Sequence, residues 1–290
     1  MNKKVTGITA TLISAIYFGF MPLFMKTVYA SGGNSFTASF LRFALSLPTL
    51  FIYLKLRGIK IGISREELKE FLKITVFGYA GTTILVFSAY NFIPTGMTTT
   101  IHFLYPTVTV AGLMIFYKEK ISATKILCVI LCLVGVLMFY NGDGSISLPG
   151  ILLALCSSCT YGFYTIYLDK CILRDMEPTK RLFHMHWIGA VMMGIIGLIS
   201  GGLGFNMAPL GWGIMLLVAT LTTFVGALGY QIGVKYIGSE NTAMLSTFEP
   251  ITSIIVGILV YHEDMTVRIV IGCLAILTAT IIIARTESKE

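Results

Sequence analysis

Apolar runs long enough to cross about 30 Å of hydrocarbon recur through this sequence from end to end, and what lies between them is too short for a soluble domain. Ten are delimited, at roughly 5–28, 35–54, 71–91, 96–117, 123–140, 149–168, 182–200, 210–233, 240–261 and 267–284. Only 12% of residues are charged, whereas a soluble domain carries about a quarter. A backbone in lipid must satisfy its own polar groups, so the runs predict an all-α integral membrane protein.

A net charge of +7 would suggest nucleic acid in a soluble protein. Here the basic residues sit between the runs, where they set orientation and call for no nucleic acid partner. With the N-terminus inside, all of the 21 Lys and Arg residues except Lys26, Arg42 and Arg268 fall in cytoplasmic segments. Both termini are therefore expected in the cytoplasm of a multi-pass plasma-membrane protein. The apolar run after Lys3 and Lys4 outlasts the h-region of a cleavable signal peptide. The cysteines Cys128, Cys132, Cys156, Cys159 and Cys273 lie inside apolar runs and read as small packing residues.

The runs form two copies. Residues Thr98, Pro106, Tyr117 and Glu119 match Thr242, Pro250, Tyr261 and Glu263, each pair 144 positions apart. Near the start of each copy, Gly7, Ser14, Gly19 and Phe20 match Gly150, Ser157, Gly162 and Phe163, 143 apart. The copies are expected at 1–145 and 146–290. Five spans is an odd number, so the second copy is expected upside down relative to the first. Inverted repeats place a solute site near the midplane between the halves and permit alternating access.

The phrase LRF at Leu41–Phe43, the run from Ser88 to Gly112, its echo from Gly229 to Ile258, and Glu119 with Glu263 resemble the EamA family of the drug/metabolite transporter superfamily. The resemblance covers both halves. It implies ten helices, a cavity lined mainly by helices 1, 3, 4, 6, 8 and 9, and export rather than import, but no particular substrate. One departure is Tyr105, which precedes Pro106 where many members carry a carboxylate.

Thr98, His102, Tyr105 and Thr109 share one face of the fourth helix, and Thr242, Ser246, Glu249 and Ser253 occupy the same positions on the ninth. Such stripes face a bundle interior, although Thr109 and Ser253 read as helix-packing hydroxyls. Glu249 is expected near the midplane, where its carboxylate needs a proton, a cationic partner or a cationic solute. Pro106 and Pro250 are expected hinges, each freeing the carbonyl of His102 or Ser246 one turn earlier. Tyr17, Tyr79, Tyr90, Tyr161, Tyr164 and Tyr230, with Gln231, are expected to wall the site through ring faces and hydroxyls.

Arg42, the only basic residue inside a run, is expected to tie helix 2 to its neighbours. Glu119 and Glu263 close their helices against the macrodipole and are expected to fix gates or loops, pairing with Lys118, Lys120 or Arg268. His184 and His186 point apart on a helix and are expected at the interface. These features predict a secondary transporter for a small polar metabolite such as an amino acid or amine, with cationic-drug efflux as the alternative. A proton or sodium ion is the expected coupling partner, no cofactor is implied, and the assembly is a monomer or homodimer, in a bacterial membrane. An intramembrane enzyme would need a nucleophile, base or metal set that the helix faces do not offer. A non-transporting membrane subunit would need a packed interior without a cavity.

Overall fold

The computed structural model describes residues 3–93, 95–138, 147–261 and 266–289. The described residues fold into helices and contain no strand: α1 (Lys3–Gly19), α2 (Met21–Ala30), α3 (Ser35–Ala44), α4 (Leu47–Leu56), α5 (Arg65–Lys73), α6 (Ala80–Ala89), α7 (Thr95–His102), α8 (Tyr105–Phe116), α9 (Ala123–Met138), α10 (Leu148–Lys170), α11 (Pro178–Ile199), α12 (Pro209–Leu217), α13 (Ala227–Leu245), α14 (Phe248–Tyr261) and α15 (Val267–Lys289). Six helical stretches among them are long and apolar enough to cross a membrane: Lys3–Ala30, Ser35–Leu56, Arg65–Ala89, Leu148–Lys170, Pro178–Ile199 and Pro209–Leu245. Shorter apolar helices cover Tyr105–Phe116, Ala123–Gly135 and Val270–Ala279.

Burial is inverted relative to a soluble protein. Leu56, Phe116 and Ile199 are about four-fifths exposed, whereas Thr11, Thr165, Arg181 and Gln231 have no exposed surface. Apolar side chains outside and polar ones inside is the distribution a hydrocarbon solvent imposes.

Several helices join end to end through a break. The α1/α2, α3/α4 and α7/α8 breaks each place Pro22, Pro48 or Pro106 in the first two positions of the second helix. Proline is tolerated there because that N–H has no intrahelical partner. Helices 4 and 9 were expected to run on through a hinge at Pro106 and Pro250. The structure interrupts both instead, at Phe103–Leu104 and at Ser246–Thr247. The Ser246 carbonyl is not freed, since it accepts the Glu249 N–H at 2.9 Å. Between the expected eighth and ninth runs there is no loop. Gly238, at φ 80° and ψ 170°, turns the chain inside α13, a conformation open to glycine and rarely to other residues.

Two π-helical segments, Ile74–Tyr79 and Val218–Gly226, begin 144 positions apart and link α5 to α6 and α12 to α13. The packing also repeats under exchange. The most extensive partner of α1 is α13 and that of α10 is α6; α1 also packs on α14 and α10 on α8, while α3 meets α11 and α9 meets α15. Glycines set the closest approaches. A Cβ on Gly19 would lie 2.5 Å from Thr252 Cβ, and one on Gly162 would lie 2.7 Å from Val108 Cγ1.

Arg181 corrects its expected place in a cytoplasmic loop, and with it the expectation that Arg42 is the only basic residue within a span. It lies in the first turns of α11, fully buried. Its Nε donates to Gln231 Oε1 at 2.9 Å, Nη2 to the Gln231 carbonyl at 3.1 Å, and Nη1 to the Leu173 and Arg174 carbonyls at 3.1 Å each. Those oxygens spread the charge without a carboxylate. His184 and His186 are likewise buried, because one meets the Ile61 carbonyl at 2.8 Å and the other Ser46 Oγ at 2.7 Å. Of the cysteines read as packing residues, Cys128 and Cys132 are buried, whereas Cys156 and Cys159 are exposed on α10.

Gly162→Ala is expected to lower stability by about 1–3 kcal/mol through overpacking, measured as thermal unfolding in detergent. Gly213→Ala, where a Cβ meets nothing within 4 Å, serves as the unaffected control.

Candidate functional site

The helix breaks converge on one cavity. Phe18, Met21 and Pro22 come from the α1/α2 junction, Arg42 from the last turn of α3, and Thr99, His102 and Tyr105 from either side of the α7/α8 break. Glu249 enters from the first turn of α14 and Tyr161 from the middle of α10. The remaining wall is a single face of the third run: Tyr79, Thr82, Thr83, Val86, Phe87 and Tyr90. The cavity offers about 70 Å³ to water-sized spheres, room for roughly five water molecules at 10–15 Å³ each.

The charges lie at separate places on the wall. Glu249 sits at a helix N-terminus, where the aligned peptide dipoles favour a carboxylate. Arg42 donates from Nε to Thr223 Oγ1 at 3.2 Å and from Nη1 to Thr83 Oγ1 at 3.3 Å. Its guanidinium carbon lies 5.5–6.0 Å from the ring centroids of Phe18, Phe43, Tyr79 and Phe87. An arginine so caged is held by ring quadrupoles and hydroxyls.

His102 makes one polar contact among the described residues, from Nδ1 to Ser157 Oγ at 2.9 Å. Its ring packs 5.5 Å from Tyr105 and 5.4 Å from Tyr161, and those two tyrosines meet edge to face at 4.6 Å. Behind them, Tyr161, Tyr164 and Tyr230 form a continuous aromatic group. Thr82 Oγ1 lies 2.7 Å from Thr160 Oγ1 on α10. On the far side of Tyr79, the imidazole of His186 stacks at 5.8 Å and 2°.

Of the expected site residues, Glu249, His102, Tyr105, Tyr79, Tyr90 and Tyr161 line the cavity, together with Arg42. Thr98, Thr242, Ser246, Tyr164, Tyr230 and Gln231 are buried away from it, and Tyr17 is half-buried. The reasons are local. Thr242 and Ser246 turn back on the carbonyls of Gly238 and Thr242, Tyr230 bonds Thr165 at 2.7 Å, and Gln231 is engaged by Arg181. Thr109 bonds the Tyr105 carbonyl and Ser253 that of Gly19, as packing hydroxyls do. Glu119 pairs with Lys170 of α10, not with Lys118 or Lys120. Glu263 lies outside the described residues. Sequence reasoning passed over Thr82, Thr83, Val86 and Phe87, although their spacing with Tyr79 and Tyr90, at i, i+3, i+4, i+7, i+8 and i+11, marks one helix face.

This architecture is shared. The EamA-like transporter family matches the sequence twice, over residues 5–141 and 148–285. The chain belongs to that family. It is similar to the uncharacterized transporter YvbV of Bacillus subtilis (strain 168), 28% identical over 75% of this chain and 70% of that one. An uncharacterized transporter of Archaeoglobus fulgidus is 23% identical over 95% of each. A solved crystal structure at 12% identity superposes with a TM-score of 0.84 over 98% of both chains, a likeness of fold. The protein is thus a membrane transporter whose partners are a small-molecule solute and the bilayer.

In a background lacking the six cysteines, Thr82→Cys and Thr99→Cys are expected to react with a small methanethiosulfonate, and Thr242→Cys and Ser246→Cys to stay unmodified, read by mass spectrometry of the intact protein.

Proposed function

We propose that this EamA-family protein is a secondary transporter, an exporter, of a small ammonium-bearing metabolite such as an amino acid or amine. Its ten spans, with both termini cytoplasmic, form halves 1–145 and 146–290 inverted relative to one another, and the cavity between them opens to alternate sides. One observation carries the reading: Glu249 lies beside the break of an interrupted helix, on the wall of an aromatic cavity. Interrupted helices at a solute site are a device of transporters built from inverted repeats.

The exchange symmetry of the packing supports the halves. Equivalent elements, including the two π segments, repeat 144 positions apart, and α1 on α13 mirrors α10 on α6. Ion pairs Glu119–Lys170 and Lys125–Glu240 tie one half to the other away from the cavity. They are suited to part when the cavity opens on that side. A non-transporting subunit has no use for such a cavity. The room for solute is small, about 70 Å³ for water-sized spheres, on the order of a few water molecules. A small amine or amino acid fits better than a bulky cationic drug.

A thermal-shift screen of amino acids, amines and quaternary cations against the purified protein tests the reading. Cationic or zwitterionic hits present at about a hundred times their Kd are expected to stabilise it by about 2.7 kcal/mol, and Glu249→Gln to abolish that gain. The same solutes are expected to move across proteoliposomes. Hits untouched by the substitution would remove Glu249 from the site.

A further inference from the structure

Hydroxyls just outside the cavity decide which atoms of its wall carry hydrogens. Ser157 Oγ lies 2.6 Å from the Ala154 carbonyl oxygen. A carbonyl only accepts, so the one hydroxyl hydrogen of Ser157 lies on that line; otherwise two lone pairs would face each other at 2.6 Å. Ser157 therefore meets His102 Nδ1 as an acceptor, and Nδ1 carries the proton. In the neutral imidazole Nε2 is then a bare acceptor, and among the described residues it has no protein partner.

Thr82 follows the same logic. Thr160 Oγ1 is 3.0 Å from the Ser157 carbonyl and gives its hydrogen there, so the 2.7 Å contact with Thr82 uses the hydrogen of Thr82. The Thr82 hydroxyl is left with a lone pair for the cavity. Behind Tyr79 the pattern recurs in longer form. Ser46 Oγ donates to the Phe43 carbonyl at 2.7 Å and accepts from His186 Nδ1 at 2.7 Å, which leaves His186 Nε2 to take the Tyr79 hydroxyl hydrogen at 3.4 Å.

The arrangement belongs to one half only. Ser246, at the position matching His102, turns back on its own helix. Ser14, which matches Ser157, has no hydrogen-bond partner among the described residues.

We infer that Ser157 and Thr160 are positioning residues that turn the hydrogens of His102 and Thr82 away from the cavity, so that the site takes a primary ammonium and rejects a quaternary one. A primary ammonium offers three N–H donors, which answer three acceptors on this wall: the Glu249 carboxylate, His102 Nε2 and Thr82 Oγ1. A quaternary ammonium satisfies the charge of Glu249 but leaves the two neutral acceptors dehydrated and unpaired. The selection rests on the ammonium reading above; the hydrogen placement does not.

Two measurements on the full-length protein in nanodiscs separate these. With all four histidines labelled with nitrogen-15, His102→Gln identifies the His102 signals by their loss. The expected spectrum has a protonated Nδ1 and a bare Nε2 in the unsubstituted protein and in Ser157→Thr, with a shift toward protonated Nε2 in Ser157→Ala. A protonated Nε2 in the unsubstituted protein, or no response to Ser157→Ala, overturns the proposal. The second measurement compares tert-butylammonium with tetramethylammonium by thermal shift; they match in size and charge, and only the first has N–H donors. The primary ion is expected to bind at least about tenfold more tightly, and Ser157→Ala to bring the ratio near one. Equal binding by the unsubstituted protein overturns the selection. Binding of neither ion, with the expected spectrum intact, overturns the ammonium reading and leaves the hydrogen placement standing.

Discussion

In hydrocarbon, a backbone N–H or C=O without a partner has no water to turn to and costs several kcal/mol. Every departure from regular helix in this protein has to be covered by protein or open on an internal space. At the breaks at Phe20, at Phe103–Leu104 and at Ser246–Thr247 the N–H groups turn back on carbonyls three or four residues earlier, and residues flanking the breaks line one cavity. Proline near the start of a half-helix lowers the demand further, since it has no N–H to satisfy. The same constraint that forces helices elsewhere thus gathers polar side chains beside the breaks.

Buried charge is handled in three ways. Glu249 sits at a helix N-terminus on the cavity wall. Arg42 is caged by four aromatic rings and two threonine hydroxyls. Arg181 is clamped by Gln231 and two backbone carbonyls away from the cavity. A buried guanidinium with its donors met by fixed oxygens is compatible with a low-dielectric interior.

Much of this was legible in the sequence because lipid imposes a long, periodic signal. The apolar runs and the doubled pattern at 144 positions follow from counting residues. The breaks were not legible: Pro106 reads equally well as a kink in one helix and as the second residue of another, and only tertiary packing chooses. Arg181 resembled a loop residue because it follows Pro178 and Lys180, yet four acceptors meet it inside. Gln231 and Tyr230 looked like wall residues from composition alone, and their partners on α10 and α11 lie far away in sequence. Thr82 and Thr83 were visible as part of a stripe on the third run, but that stripe has no counterpart carrying a charge, unlike the pair that holds His102 and Glu249.

Gly238 turns the chain in a single residue, with helix on either side. A Cβ there would meet nothing within 4 Å, so space is not what calls for glycine; the backbone angle is. The direction in which the chain sets out toward Glu249 is therefore written in one pair of dihedral angles, and a substitution that forbids them re-aims everything that follows without touching the cavity wall.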